Sequence, residues 1–389
     1  MTGHLEQLLG LGAPDAHPAG AVIGVRTAHS TAVAADGWAV LPDQVSPGVR
    51  MTPQLLLDLA SVTKVASTTA QLMRLVAAGH LQLDDLVRSF LPGFHGDGKD
   101  AVTLRHLLTH TAGLQPWWPL YLETTDPREA IERVQALPLA SPVGGAWRYS
   151  DLGLMLAGAV IERVTTLDLA AAYRALVAGP LGLTSGFGPV ASDSAAASAD
   201  SDAYEFRMVD TGIPYPVPFV VDQFDGWRDR PLRGEPNDGN AAHALGGVAG
   251  HAGLFSTVDD LLTLGSALRG NELIPAGVLD EFAQPTPLHP EQAVGFRRKT
   301  IDADGEGMTV LHHGGFTGTS FGFALEKELV VAGAATRLYG TVGPLPGRGA
   351  AAQERTVVTV DAIQTVLLDA AIDALRTELF QTTTQTEEQ

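Results

Sequence analysis

The 389-residue sequence contains no cysteine. This absence excludes disulfides, thiol catalysis and thiolate-bound metals, so any nucleophile must be an oxygen or a nitrogen. Lysine is also scarce, since only four of the 25 basic residues are lysines. A lysine inside an apolar segment therefore needs a chemical reason, and Lys64 is such a lysine.

Basic residues are outnumbered by 44 acidic residues, which gives a net charge of −19. A surface of this sign repels nucleic-acid phosphates and anionic lipids, so we expect neither nucleic acid nor a membrane as a partner. The longest apolar run, residues 152–161, is too short for the ~20 residues of a membrane span. The N-terminus lacks the features of a signal peptide, which predicts a cytoplasmic protein unless an export leader has been trimmed.

The order of predicted elements indicates an α/β (α+β) fold. Apolar, β-branched runs at 19–26 and 31–41 predict a hairpin, and the middle third has helical periodicity. The end of the chain reads as strands at 308–312, 319–325 and 328–336, followed by a helix at 360–379. Both chain ends are therefore expected to share one antiparallel sheet flanked by helices.

We accordingly expect an α/β domain built from residues 1–90 and 245–389, and a mainly helical domain over 91–244. Within the helical domain, the small polar residues 189–203 predict an exposed, mobile loop. Residues 380–389 are expected to form a frayed tail. A cleft between the domains is the natural place for a site, with walls from loops at 115–120 and 189–240.

The segment Ser61-Val62-Thr63-Lys64 is the first candidate for chemistry. Residues i and i+3 share a helix face, so Ser61 Oγ and Lys64 Nζ can meet. The positive helix N-terminus and burial both disfavour the ammonium, so we expect Lys64 to be a neutral base or a proton relay. The alternative is a helix-capping Ser61 beside a lysine whose stem packs along the helix.

Two other segments are polar and precede or join regular elements. Tyr149-Ser150-Asp151 stands before an apolar helix, where Tyr149 could act as an acid or base if a nearby cation lowered its pKa. Taken alone, Asp151 is a helix cap and Tyr149 a core-edge aromatic. The Gly-rich stretch 311–320 would let a substrate lie against an edge strand, unless it is a turn with solvated histidines.

Two rival motifs are incomplete. Residues 318–322 (GTSFG) match the α/β-hydrolase nucleophile elbow around Ser320, but that triad needs a later histidine and the last one is His313. His106 and His110 have the spacing of a zinc protease, but Leu107 stands where its glutamate would be. We therefore expect no metal and no cofactor.

Six segments together resemble the serine β-lactamase and penicillin-binding protein superfamily, in particular its class C-like branch, which includes family VIII carboxylesterases. The resemblance covers roughly residues 15–375 and implies a β-lactamase/transpeptidase-like fold. The segments are LASVTKVAST (59–68), TLRHLLTHTAGL (103–114), YSD (149–151), PLGLTSGF (180–187), GGVAGHAGLFST (246–257) and HHGGFTGTS (312–320).

The resemblance implies a role for each site residue. Ser61 matches the acylated nucleophile, Lys64 its proton-shuttling partner, and Tyr149 the tyrosine that works with that lysine. The backbone N–H groups of Ser61 and Phe316 would form the oxyanion hole. The residues expected to contact substrate are Asp151, His313, Gly314, Gly315, Gln115 and Trp117.

Two residues depart from the β-lactamase pattern. Asp151 replaces an asparagine, and His313 replaces a lysine that binds substrate carboxylates. His313 should be mostly neutral at pH 7 and gain charge as the pH falls from about 8 to 6, near the ordinary histidine pKa. Both departures argue against efficient β-lactam hydrolysis.

We therefore expect a serine hydrolase that forms an acyl-enzyme on Ser61, acting as a carboxylesterase on small neutral esters. The alternatives are a D-stereospecific aminopeptidase or amidase, a D-Ala carboxypeptidase-like or β-lactamase activity, and a catalytically idle penicillin-binding-like protein. The partner in the enzymatic cases is a small ester or amide substrate. The sequence does not determine the oligomeric state.

Overall fold

Strands from the beginning and the end of the chain lie in one antiparallel sheet. A computed structural model describes residues 1–13, 16–303, 305–347 and 357–387. Its strands are β1 (Gly20–Thr27), β2 (Thr31–Val40), β3 (Val49–Arg50), β4 (Leu57–Asp58), β5 (Gly186–Phe187), β6 (Ala197–Ala199), β7 (Leu232–Arg233), β8 (Leu254–Ser256), β9 (Arg297–Ala303), β10 (Glu306–Gly314), β11 (Thr319–Ala324) and β12 (Leu329–Ala335).

Seven of these strands form one antiparallel sheet in the order β3-β2-β1-β12-β11-β10-β9. The first strand of the chain, β1, pairs with the last strand, β12, near the centre of this sheet, where Ile23 lies opposite Gly333. The hairpin and the three late strands expected from the sequence are confirmed. The predicted sheet built from both chain ends is thus present.

Helices cover both faces of the sheet and fill the middle of the chain. The α-helices are α1 (Thr2–Leu9), α2 (Ala70–Ala77), α3 (Val87–Phe90), α4 (Leu104–Leu108), α5 (Pro127–Ala136), α6 (Asp151–Thr165), α7 (Leu169–Tyr173), α8 (Gly179–Leu181), α9 (Ala203–Thr211), α10 (Val258–Arg269), α11 (Ala276–Phe282) and α12 (Val360–Glu387). Three π-helical segments lie at Lys64–Thr69, Arg174–Ala178 and Asn240–Ala244.

Successive side chains of β1 point to opposite faces of the sheet and pack into two separate hydrophobic cores. Ile23 points to the core that α1 and α12 cover, and Val22 to the larger core that α10 and the middle helices share. Helix α10 approaches β1 closely at Gly24, where a Cβ atom would lie 2.4 Å from Val258 Cγ1. Burial on both faces explains why β1 is apolar almost throughout rather than alternating with polar residues.

Two small sheets join the middle of the chain to its ends. Strands β4, β8 and β5 form one of them, and β6 pairs with β7 in the other. Strand β5 therefore pairs outside the range 91–244, through β8. The division into domains at residues 91 and 244 stays a prediction.

The expected exposed loop at 189–203 is wrong for part of that range. Residues 195–199 are buried, and three of them form β6. Ala195 and Ala199 also make isolated bridges to Leu56 and Leu338. Alanine and serine side chains are small enough for this strand to fit between other segments, so a composition typical of loops here reflects tight packing.

The C-terminal helix is longer than expected. It continues to Glu387, whereas the sequence predicts a frayed tail from residue 380. No glycine or proline interrupts residues 380–387, so the backbone can continue its helical hydrogen bonds. Residues 388–389 of the predicted tail lie outside the described residues. Among those that are described, no helix has the length and apolar character needed to cross a membrane.

Candidate active site

Ser61 lies in a tight turn that follows β4. Ala60, directly before it, has a φ of 43°, a left-handed conformation that is strained for a residue with a Cβ. The Asp58 carboxylate holds this turn by accepting the Ala60 N–H at 2.9 Å and the Asn237 N–H at 2.6 Å. Burial raises the pKa of Asp58 to about 6, although both hydrogen bonds act to lower it.

Lys64 begins the π-helical segment one turn after Ser61. Its Nζ donates to Ser61 Oγ at 2.8 Å and to the His251 carbonyl at 3.1 Å. The same Nζ lies 2.7 Å from Asp151 Oδ1, and the lysine side chain is only 1% exposed. The predicted meeting of Ser61 and Lys64 is therefore present, with Asp151 as an additional partner.

The protonation state of Lys64 differs from the expectation. Burial alone would lower its pKa, but the Asp151 carboxylate and Tyr149 outweigh burial and raise the pKa above the usual lysine value. Of the two roles expected for Lys64, a neutral base in the resting site is therefore wrong, and a proton relay stays a prediction. The helix N-terminus and burial, which can be predicted from the sequence, both lower the pKa, whereas the nearby Asp151 carboxylate, which raises it, is brought close only by the fold.

Tyr149 lies beside this ion pair, with Lys64 Nζ 5.0 Å from its ring centroid. Burial raises the pKa of Tyr149 above its usual value, and Lys64 and Ser61 lower it without cancelling the rise. Lys64 does act to lower the pKa of Tyr149, as expected of a nearby cation, but burial raises this pKa by more. The phenol is protonated at neutral pH and available as a proton donor.

His313 is buried in β10 and faces Tyr149, with ring centroids 6.0 Å apart. Its Nδ1 donates to the Gly314 carbonyl at 2.8 Å. Burial and the nearby Lys64 ammonium hold the pKa of His313 well below its usual range. The expectation that it gains charge between pH 8 and 6 is wrong, because the ring is buried and lies near the Lys64 ammonium.

The turn after β10 brings Phe316 next to Ser61. At Gly315 the chain packs so closely that a Cβ would lie 2.0 Å from Thr319 Oγ1 and 2.5 Å from the Leu59 carbonyl. Ser61 and Phe316 then line the same cavity. Within the described ranges, neither the Ser61 N–H nor the Phe316 N–H donates to a protein acceptor.

Helix α6 places Asp151 at its first position. Its N-cap is Ser150, and the Asp151 N–H donates to the Pro116 carbonyl at 2.9 Å. The Gln115 carbonyl accepts the Ser150 hydroxyl at 2.6 Å. Gln115 thus positions the helix start through its backbone, while Trp117 lines the cavity.

The cavity beside Ser61 has a volume of about 200 Å³. Of the predicted site residues, five line the cavity and five do not. Those in the lining are Ser61, Trp117, Tyr149, Asp151 and Phe316, and those outside it are Lys64, Gln115, His313, Gly314 and Gly315. The sequence reasoning did not single out the remaining polar and aromatic lining, which includes Ser201, Asp202, Tyr204, Glu205, Tyr215, Asn237 and Asp238. Their only sequence signal is membership of the broad segment 189–240.

One wall of the cavity is acidic. Glu205 Oε2 accepts the Gly239 N–H at 2.9 Å, and burial with the nearby Asp238 and Asp202 raises the pKa of Glu205 to about 8. Although burial opposes it, the pKa of Asp238 falls to about 2 because His251 lies 3.0 Å away. The described lining contains four carboxyl groups and no basic side chain.

The rival motifs have ordinary structural roles. Ser320 is buried within β11, where its Oγ lies 3.5 Å from the His313 carbonyl, and it does not stand on a strand-to-helix turn. His106 caps α4 together with Thr103, and His110 Nδ1 accepts the Ser150 N–H. In the ranges that the structure describes, no cluster of three potential metal ligands is found.

Comparison with known proteins gives one family. A family model described as Beta-lactamase matches residues 12–354. An N-acetylmuramyl-L-alanine amidase of Bacillus subtilis is 31% identical over 64% of this chain and 59% of its own length. A putative D-alanyl-D-alanine carboxypeptidase of Salmonella typhi is 28% identical over 64% and 60%. The matches thus span about three fifths of these relatives.

Solved structures share the fold. EstCE1, described as a hydrolase with promiscuous acyltransferase activity, gives a TM-score of 0.63 at 21% identity, covering 94% of this chain and 98% of its own. A class C beta lactamase from Rhodobacter sphaeroides gives 0.62 at 17% identity, covering 95% and 98%. At these identities the likeness concerns the fold alone.

Because His313 is neutral throughout the physiological range, replacing it should not change how anion binding depends on pH. In His313→Asn, we expect KM for an ester that carries a carboxylate to follow the wild-type profile within about twofold from about pH 6 to 8. Steady-state kinetics on both proteins measures this. A wild-type KM that falls about tenfold on acidification, with no fall in the variant, would show that His313 does gain charge.

Proposed function

The chain belongs to the Beta-lactamase family of serine hydrolases, and we propose that it is a carboxylesterase that forms an acyl-enzyme on Ser61. The observation that carries this proposal is the 2.8 Å contact between buried Lys64 and Ser61 Oγ at the edge of a cavity. Such a contact orients a hydroxyl and provides a path for its proton.

The proposed reaction has two acyl-transfer steps. Ser61 Oγ attacks the ester carbonyl, and its proton leaves along Lys64. The free N–H groups of Ser61 and Phe316 are suited to stabilise the oxyanion. Tyr149, protonated at neutral pH, can then donate to the leaving alcohol. Water repeats the attack on the acyl-enzyme and releases the acid.

The charge of the cavity supports substrates that carry no carboxylate. Its described lining has no basic side chain, and His313 behind it is held neutral. Lys64 and Arg228, which stand outside the lining, are already paired with Asp151 and Asp202, so among the described residues of the cavity no unpaired cation faces an anionic substrate. This disfavours D-Ala carboxypeptidase and β-lactamase activity, because both substrates bear a carboxylate.

The nucleophile is tested by covalent labelling. Ser61→Ala should abolish ester turnover and labelling by a fluorophosphonate, because Ser61 provides the aliphatic hydroxyl to which Lys64 Nζ donates at the edge of the cavity. Ser320→Ala is the matched control and should keep both, since Ser320 is packed within β11. Labelling that survives Ser61→Ala and disappears in Ser320→Ala would show that the nucleophile is Ser320 and not Ser61.

The acidic wall favours a second candidate, an amidase or aminopeptidase acting on amino-acid derivatives. Asp202, Glu205 and Asp238 line the cavity that also contains Ser61. Asp202 is paired with Arg228 and Asp238 with His251, so the charge that would meet a protonated amine on the acyl side is that of Glu205 once it is ionised. The aromatic Trp117 and Tyr215 in the same lining could contact the cation through their ring faces.

This candidate predicts a preference that changes with pH. We compare kcat/KM for a p-nitrophenyl ester whose acyl chain ends in a primary amine with that of its methyl-terminated isostere. Since the pKa of Glu205 is about 8, the preference for the amine should increase severalfold as the pH rises through that value. In Glu205→Gln the preference should not change with pH.

Glu162→Gln provides the control, because Glu162 is an exposed glutamate that lies outside the cavity, and it should retain the wild-type trend. If the methyl-terminated isostere is preferred at every pH, or if Glu205→Gln keeps the wild-type trend, the amine-binding role of this wall is rejected. The carboxylesterase proposal would then stand alone.

A further inference from the structure

Lys64 Nζ contacts Ser61, His251 and Asp151. It donates to Ser61 Oγ at 2.8 Å and to the His251 carbonyl at 3.1 Å, and it forms an ion pair with Asp151 Oδ1 at 2.7 Å. A lysine in this arrangement donates to the nucleophile in the resting site. It cannot take the Ser61 proton unless it gives up one of its own.

Of these three partners of Lys64, only one can receive that proton as a base. The His251 carbonyl is an amide oxygen, and Ser61 is the group that must lose its proton. Tyr149 nearby holds its own proton at neutral pH. The remaining group, Asp151, is a carboxylate in direct contact with Nζ.

We propose that Asp151 accepts the Ser61 proton through Lys64. This inference rests on the proposed acyl-enzyme function and assigns Asp151 a role in proton transfer rather than in substrate recognition. In Ser-His-Asp triads the histidine is neutral at rest and accepts directly, so the aspartate need not be protonated. Lys64 differs because it is already charged.

The step balances in atoms and electrons. As Ser61 Oγ bonds to the carbonyl carbon, its O–H bond breaks and a new N–H bond forms at Nζ, while another N–H proton moves from Nζ to Asp151 Oδ1. The carbonyl π pair moves to the oxygen. Lys64 is an ammonium before and after, and Asp151 becomes a carboxylic acid. When the leaving oxygen takes a proton from Tyr149, Asp151 and Lys64 return the Ser61 proton to the Tyr149 oxygen, which lies within hydrogen-bond reach of Lys64.

The backbone fixes Asp151 for this role. It opens α6, its N–H is bound by the Pro116 carbonyl, and its side chain is only 16% exposed. Asparagine at this position could keep the shape of the contact but could not accept a proton. The substitution Asp151→Asn therefore separates proton transfer from packing.

Neighbouring groups do not confound a measurement near neutral pH. The titratable groups that face Lys64 and Asp151 are His110, His313, Tyr149, Tyr215 and Asp238. Burial lowers the pKa of the two histidines and raises the pKa of the two tyrosines. The contact with His251 lowers the pKa of Asp238. Asp58 and Glu205 titrate nearby, but their effects cancel in a ratio of wild type to variant.

The test measures the rate of fluorophosphonate labelling and kcat/KM for a p-nitrophenyl ester from about pH 6 to 10. Neither leaving group needs a proton, so both rates report deprotonation of Ser61. At pH 7 we expect Asp151→Asn to lose about 10²-fold or more in both rates. The deficit should narrow towards pH 10, because burial without Asp151 lets Lys64 become a neutral base.

Asp259→Asn is the matched control, since Asp259 lies in the first turn of α10, away from Lys64, and it should keep wild-type rates. An Asp151→Asn variant that is as active as wild type at pH 7, or more active, overturns the proposal. A wild-type labelling rate that rises about 100-fold from pH 7 to 9 also overturns the proposal, because such a rise is expected if Lys64 must first lose a proton to water. This measurement uses wild-type protein alone, so it tests the proposal even if the variant fails to fold.

The outcomes also separate this proposal from the proposed function. If wild-type protein is neither labelled nor active on esters, the acyl-enzyme function and the proton path both fail. If wild type is labelled at Ser61 and Asp151→Asn is undiminished, only the proton path fails.

Discussion

The buried contact between Lys64 and Asp151 sets the charge of the whole site. Lys64 is 1% exposed and lies 2.7 Å from the carboxylate. Removing one member of such a pair typically costs about 3–5 kcal/mol, because the other is left buried and uncompensated. Burial and repulsion by the Lys64 ammonium, with Arg297 also acting on His110, keep the pKa of His110 and His313 low and both rings neutral. The site therefore contains one ammonium whose partners are all fixed.

The fold brings the members of this contact together from separate segments. Lys64 follows the strained turn that Asp58 holds after β4, and Asp151 opens α6 on the helical side of the cavity. Phe316 arrives from the turn between β10 and β11 of the main sheet. Each segment is anchored at its backbone, so the side chains can meet within hydrogen-bond distance with little freedom to move apart.

Local signals in the sequence were sufficient for part of this arrangement. The apolar, β-branched runs of β1 and β2 predicted the hairpin, and the i, i+3 spacing predicted the meeting of Ser61 and Lys64. The protonation of Lys64 could not be predicted, because it depends on a distance to Asp151 that only tertiary packing sets. Strand β6 was missed because its alanines and serine have the composition of a loop.

The acidic wall was missed for a similar reason. Asp202, Glu205 and Asp238 are ordinary surface-type residues in sequence, and they become a charged wall only when α9 and the segment near Asn237 fold over the same cavity. Burial and mutual repulsion then raise the pKa of Glu205. Electrostatic properties of this kind belong to the assembled cavity and have no local sequence pattern.

The most direct measurement of the central claim is the mass of the protein quenched in acid during ester turnover. The account predicts an adduct equal to the acyl group, located by peptide mapping on Ser61 and removed as the reaction proceeds. Turnover without any adduct, or an adduct on a residue other than Ser61, would contradict a mechanism in which Lys64 and Asp151 serve that serine.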